Sequence, residues 1–488
     1  MKKNSLFKVL GIVLLAYCVF TWIFPAVTSL GGDITTATRN QISIFNIFSV
    51  TFESFSAFAN VILFIILVGA FYAILEETGV YNKALDFFKN KFGKNSKWFL
   101  IAVIVIIAII SSVAGLEIGM FFLFPFIISI LLVMGYDKFV ALSATLGATI
   151  VGMFGSTLAG TMYNIADKIF GISIYDGIII KIVLFVLGLA LLLFFTLMHI
   201  SKGNSKEVKS GKKDDKKKSK KDEAKKVEDK KENIVVASKK VSNKPIWPML
   251  LIMGLVLVVF ILGSIDFSSL GTDAFVKAND VVMGLEVSGF AIFGKLIGGL
   301  GAFGTWLDPS RFMYYSIILI LAMLIISIIY RIKFNDQISC FVKGVKDYFV
   351  IGILVALAYT MFVLVYYYKA FDTIGTWFMG LTDNFNVATS GIFSFVSSIF
   401  YVDIYYYSYF VLQYVGQFVT DASLYPLVST MFVSLYGLAM LVAPTSVLLI
   451  ASLSITDVSY GSWLKYIWKL FLSLFVVAFI VFLIVFLI

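Results

Sequence analysis

The chain has 488 residues, 60% of them hydrophobic and 14% charged, with a formal net charge of +10 and a mean hydropathy of +0.97. Soluble domains carry about 25% charged residues, so a soluble globular protein is excluded. Nor is the charge a nucleic-acid signal: residues 201–245 hold 17 Lys against 8 Asp or Glu, a net +9, and the remaining chain is nearly neutral at +1.

Apolar runs of about 20 residues, enough to cross a ~30 Å hydrocarbon core, recur along the chain. The first, MKKNSLFKVLGIVLLAYCVFTWIFPA, has the basic start and apolar stretch of a signal peptide. The bulky Tyr17 before Cys18 argues against lipoprotein-type processing, and the segment reads as an uncleaved first helix. With Cys18 and Cys340 alone, neither a disulfide framework nor a thiolate metal site is expected.

After the first span near 5–26, others are expected near 60–76, 98–114, 118–134, 139–157 and 177–198. Hydropathy leaves open whether 98–134 is two spans or a re-entrant hairpin plus a span. The segment KKDDKKKSKKDEAKKVEDKKEN has too few large apolar residues to bury a core and reads as a disordered cytoplasmic linker. The second half gives spans near 246–264, 312–330, 348–366, 388–419, 424–453 and 463–488. Lys-rich loops belong on the cytoplasmic side. The linker, the 83–97 loop and the Arg331/Lys333 turn satisfy this if both termini are cytoplasmic.

Several spans are interrupted. Gly115 and Gly119 flank Glu117; Gly147, Gly152 and Gly155 punctuate the fifth span; Pro444 sits inside an apolar run. Such breaks are tolerated at membrane depth where protein or a water-filled cavity covers the freed backbone groups.

The halves also echo each other. With one offset of 286, Ser111-Ser112 through Glu117-Ile118 and Ser397-Ser398 through Asp403-Ile404 both read Ser-Ser-x-x-x-Leu/Val-Glu/Asp-Ile, and Phe124 and Phe410 follow at the same spacing. Downstream, broken spans end in Gly155-Ser156-Thr157 and in Pro444-Thr445-Ser446. Matching breaks in two halves are the mark of a secondary transporter built from internal repeats, with solute and ions bound near the midplane. Glu117 and Asp403 then form a pair. A charged residue at a bilayer centre costs roughly 2.5–3.5 kcal/mol on insertion scales, so each is expected to bind a cation or hold a proton; a helix end in a wet loop is the plainer alternative. The Ser156-Thr157 and Thr445-Ser446 hydroxyls and nearby helix ends could hold solute or Na+, or could merely satisfy a kink. Tyr405, Tyr406 and Tyr407 either line a cavity or pack as aromatic bulk.

Two motifs are set aside. Gly289 to Lys295 imitates a P-loop, but Leu296 stands where Ser or Thr should be and no strand precedes it, so an amphipathic interfacial helix is expected. Tyr136-Asp137 is half of an intramembrane aspartyl protease pair without its partner. A single histidine, His199, leaves almost nothing for catalysis.

The runs Gly115 to Pro125, Met134 to Asp137 and Gly155 to Thr157, with Glu77 to Gly79, Gly344 to Asp347, Ala443 to Ser446 and Tyr460 to Lys465, resemble the YfcC family of the ion transporter superfamily across nearly the whole chain apart from the linker. The resemblance implies a secondary carrier of two inverted repeats, each with a scaffold part and a transport part. It implies C4-dicarboxylates, amino acids or short peptides as solutes. The chain departs from that family where one Glu117 replaces adjacent acids, where Tyr401 to Tyr407 replaces a Ser/Gly-rich loop, and where Leu158-Ala159-Gly160 replaces an Asn-Pro.

The expected protein is therefore an all-α polytopic membrane protein of about 10–12 membrane segments in two inverted repeats, at 1–200 and 246–488 around the 201–245 linker. Each repeat is expected to carry a re-entrant hairpin and a broken helix. It is expected to be an ion-coupled transporter in the cytoplasmic membrane, not an enzyme. Candidate site residues are Glu117, Asp403, Gly115, Ser156, Thr157, Pro444, Thr445 and Ser446. No cofactor or metal site is expected beyond Na+ or H+ as coupling ion. Expected partners are a small organic solute, the bilayer and a second copy of the chain, and no nucleic acid. Because Arg39, Arg311 and Arg331 all map to span edges, a dianion lacks an obvious cationic clamp, which with the two added carboxylates tilts the solute toward an amino acid, a basic amino acid or a peptide. A C4-dicarboxylate carrier is the alternative, and a channel or structural membrane protein the rival from another class.

Overall fold

A computed structural model describes residues 3–24, 29–30, 33–34, 41–211, 242–368, 370–382 and 385–488. In hydrocarbon every backbone polar group must be satisfied within its own segment, which selects helices. Among the described residues, ten helical segments are long and apolar enough to cross a membrane. Among the described residues the only strands are two short two-stranded ribbons. The chain is thus all-α and multi-pass.

At the centre, Ala59–Glu77 packs along Phe334–Tyr368. They cross where Gly69 meets Gly344 and Tyr348, so closely that a Cβ on Gly69 would lie 2.7 Å from the Gly344 carbonyl oxygen. Small residues at a crossing let two backbones approach without an apolar driving force between the helices. Ile178–Ser201 and Tyr460–Leu487 lie at the periphery with most of their surface outward.

The 98–134 question resolves into one hairpin. Ser96–Ala114 runs inward, the chain breaks at Gly115–Glu117, and a 3-10 turn, Ile118–Leu123, leads into Phe124–Val133. Its ends meet again where Tyr136 OH bonds Ser96 Oγ at 3.2 Å. The 388–419 stretch is likewise Val387–Phe400, a break at 401–403, and short helical turns through Gly416. Two longer elements are interrupted: Lys138 to Gly155 continues as Gly160–Phe170, and Tyr425–Met440 continues as Val447–Thr456.

Contacts fix the relative faces. Asp137, at the exit of the first hairpin, lies 2.9 Å from His199, on the face where the linker departs. The exit of the second hairpin, Gly416, packs on Phe170, which stacks on Tyr425 at 4.4 Å, on the opposite face. The hairpins therefore enter from opposite faces. Tyr466, near the start of the last helix, stands edge-on to His199 at 4.9 Å. That 28-residue helix, Tyr460–Leu487, starts on the linker face and carries Ile488 to the other one.

Of the expected linker, the helix Ile178–Gly211 covers the start, while 212–241 lies outside the described residues. The P-loop imitation forms an exposed ribbon followed by a five-residue helix, Ile292–Leu296.

Candidate functional site

Local chemistry shapes each hairpin tip. Gly115, at φ +63°, ends its helix in the left-handed conformation with its N–H on Ser111 O at 3.0 Å; glycine alone adopts this without a Cβ penalty. A Cβ there would also meet Ala159 at 3.1 Å. Two residues on, Glu117 precedes the 3-10 turn, and its side chain makes no capping hydrogen bond, so the carboxylate is left for other partners. At the second tip, Asp403 Oδ1 accepts the Tyr405 N–H at 2.8 Å as the N-cap of the next turn. Its other oxygen, Oδ2, is buried without a hydrogen bond.

Both free carboxylate oxygens face one cation. Arg311 Nη2 lies 3.8 Å from Glu117 Oε2 and 3.9 Å from Asp403 Oδ2. All three residues are buried: Arg311 is 3% exposed, Asp403 2% and Glu117 8%. Arg311 Nη1 also donates to Thr161 Oγ1 at 2.9 Å, just past the first helix break. The two carboxylates at equivalent places in the halves thus meet through a third residue. The expectation that Arg311 sits at a membrane edge is corrected. Its helix, Arg311–Ile329, starts at the depth of the hairpin tips, because the preceding loop folds back with Trp306 buried against Gly263.

The Ser/Thr breaks tie hairpins to broken helices. Thr157 N donates to Ser112 Oγ at 3.1 Å and its hydroxyl lies 3.0 Å from the same oxygen. Ser156, at φ +42°, turns the chain there. In the second half Thr445 Oγ1 donates to Ile399 O, and Ser446 Oγ accepts the Leu449 N–H at 3.3 Å. Pro444 is half-buried beside them. Glu117, Tyr436 and Ser446 border one small space of about 10 Å³, roughly the room of a single water. Glu117, Asp403 and Ser446 are therefore brought together. Thr157 and Thr445 spend their hydroxyls on the hairpins, and Gly115 serves the turn. Tyr407, buried with its hydroxyl 2.7 Å from Ser394 Oγ, and Tyr406, its ring tilted against Phe362 at 4.8 Å, act as packing.

Two functional candidates escape the sequence reading: Arg311 and Thr161. A signal existed. A helix N-terminus carries partial positive charge and disfavours a cation in its first turn, so an arginine opening a helix needs anionic partners. Lys181, also buried, is a different case: it donates to Ile174 O at 2.6 Å and lies over the Tyr163 ring.

An arginine amid paired carboxylates where helix breaks meet suits a carrier of charged solutes, and the sequence agrees. Residues 4–487 match the family DcuC, C4-dicarboxylate anaerobic carrier. The chain belongs to that family. It is a multi-pass membrane carrier and not an enzyme. The family match favours the dicarboxylate alternative over the amino-acid or peptide tilt. No curated protein matches the chain. Among solved structures it is similar to the YdaH transporter of Alcanivorax borkumensis, described as having an unusual topology, with 14% identity, 98% of each chain covered and a TM-score of 0.40.

Proposed function

We propose that this carrier moves C4-dicarboxylates across the cytoplasmic membrane, with Arg311 as the charge that draws the dianion to the midplane. The observation behind the reading is the placement of Arg311, buried between the tips of two hairpins that enter from opposite faces. A guanidinium has five donors in a planar fork that matches a carboxylate. Here one donates to Thr161, while Glu117 and Asp403 stand at ion-pair rather than hydrogen-bond distance. A solute carboxylate can displace those looser contacts.

The trio carries a net charge of −1 when both acids are ionised. A dianion entering that site needs compensating positive charge, which Na+ or H+ supplies; this makes transport ion-coupled. The motif-level likeness to YfcC carriers supports the same reading. The Lys-rich linker sets its face, and with it the N-terminus, in the cytoplasm. The repeats at 1–200 and 246–488 act as inverted units, each lending one hairpin and one broken helix.

The test is uptake of labelled succinate into liposomes containing the purified protein, with imposed Na+ or pH gradients. Saturable uptake, competed by fumarate and not by arginine or a dipeptide, is the expected result. Competition by arginine or the dipeptide alone would overturn the substrate assignment. Non-saturable conductance would overturn the carrier mechanism.

A further inference from the structure

We infer that the linker face carries a docking site for the headgroup of an anionic phospholipid, between the end of Ile178–Ser201 and the start of Tyr460–Leu487. The two helices leave a cavity of about 400 Å³, bordered by Phe195, His199, Lys465, Tyr466, Trp468 and Lys469. It is separate from the Arg311 site.

Charge identifies the occupant. Lys465 and Lys469 are four residues apart, so both ammonium groups stand on one helix face, and both are exposed. Among the described residues neither has an acidic partner at ion-pair distance. Asp137, the ion-pair partner of the cavity's His199, is already engaged: His199 Nε2 lies 2.9 Å from Oδ2, and Oδ1 accepts the Phe139 and Val140 N–H groups at 2.8 and 2.9 Å. The cavity rim is left positive.

The surroundings select a lipid over a free anion. Trp468 is half-exposed, with Lys469 Nζ 5.5 Å from its ring centroid, as befits a side chain at the headgroup level. Beyond it the same helix exposes Leu472, Val476 and Ile480, and the facing one exposes Phe194, Leu187 and Val183. A phosphate held by the lysines would have its acyl chains laid along this apolar strip. Basic pockets between helices on the cytoplasmic side bind anionic headgroups in this way.

The site also touches the transport machinery. Tyr466 stacks on Phe139 at 5.0 Å, and its hydroxyl lies 2.8 Å from Ser143 Oγ, at the base of the broken helix that leads to Ser156 and Thr157. A lipid seated there braces that base.

The test is native mass spectrometry of the full-length protein in detergent, titrated with phosphatidylglycerol, phosphatidylcholine or inorganic phosphate, beside the double variant Lys465→Gln/Lys469→Gln. Retention of phosphatidylglycerol over phosphatidylcholine, without retention of inorganic phosphate, is expected. The double variant should bind phosphatidylglycerol roughly thirtyfold more weakly, about fivefold for each lysine. A thermal melt in phosphatidylcholine nanodiscs checks that the variant folds, and Lys465→Arg/Lys469→Arg should restore retention. Equal retention of both lipids, undiminished binding by a folded double variant, or binding of inorganic phosphate as tight as the lipid would overturn the assignment.

Discussion

Arg311 and Thr161 are joined by a 2.9 Å hydrogen bond across 150 positions of sequence, linking the start of one helix to the far side of a break in another. The bond engages Nη1 while Nη2 faces the two carboxylates, and so fixes the plane in which a solute would meet the guanidinium. Thr161→Val keeps the shape and removes the acceptor. Succinate KM should rise several-fold in that variant while the protein loses no more than about 3 kcal/mol of stability, the upper net worth of a hydrogen bond to a charged group. Unchanged kinetics would mean that the carboxylates alone position Arg311.

Replacing Arg311 by Gln leaves two buried acids facing each other. Breaking such a pair from one side costs about 3–5 kcal/mol, so Arg311→Gln should melt well below the parent protein. Adding Glu117→Gln and Asp403→Asn removes the stranded charge and should recover most of that loss, though not transport. Melting curves in detergent compare the two; an equally large loss in the triple variant would show that shape, not charge, is at stake.

Asp403 has two duties, and two substitutions separate them. Asp403→Asn keeps an oxygen for the Tyr405 N–H and gives up the charge, so folding should persist while uptake falls. Asp403→Ala also loses the cap, at a further cost of about 1 kcal/mol. Identical stability of the two variants would remove the capping role.

The central crossing tolerates no added atoms. A methyl group at Gly344 would be driven into the Gly69 carbonyl and the Ala70 backbone, whereas one at Gly254 or Gly461 meets nothing within 4 Å. Gly344→Ala should lower stability by about 1–3 kcal/mol, the usual range for overpacking. The other two should be silent or slightly stabilising, because alanine favours the helix. Comparable expression and melting of all three would argue against the close crossing.

Sidedness is directly measurable. Ile488→Cys should react with a membrane-impermeant maleimide on intact cells, and Lys244→Cys only after permeabilisation. The native thiols interfere little, since Cys18 is buried and Cys340 half-buried. Labelling of both positions under the same condition would contradict the single outward run of the last helix.

Much of this architecture was legible because lipid makes carboxylates conspicuous. Glu117 and Asp403 stand out from apolar runs, and the 286-residue offset pairs them before any coordinates exist. The helix breaks were equally readable, since Gly115, Ser156 and Pro444 interrupt spans that should be continuous. Arg311 was not legible by the same rule. A charge at the end of a hydrophobic run reads as snorkelling toward water, and hydropathy cannot show that the loop carrying Trp306 turns back into the protein.

The meeting of two oppositely directed hairpins at one guanidinium has a consequence for how such a machine could leak. If the chain transports as proposed, the partition between compartments would be the few side chains at the hairpin tips around Arg311, each hairpin guarding one approach. Withdrawal of either tip would expose Arg311 to one compartment while the other tip keeps the seal, which is the minimum that alternating access requires. Withdrawal of both at once would open a pore. On this view the ion pairs to Glu117 and Asp403 act as an interlock: in the absence of solute each tip is held by the same cation, and solute must loosen one hold without releasing the other.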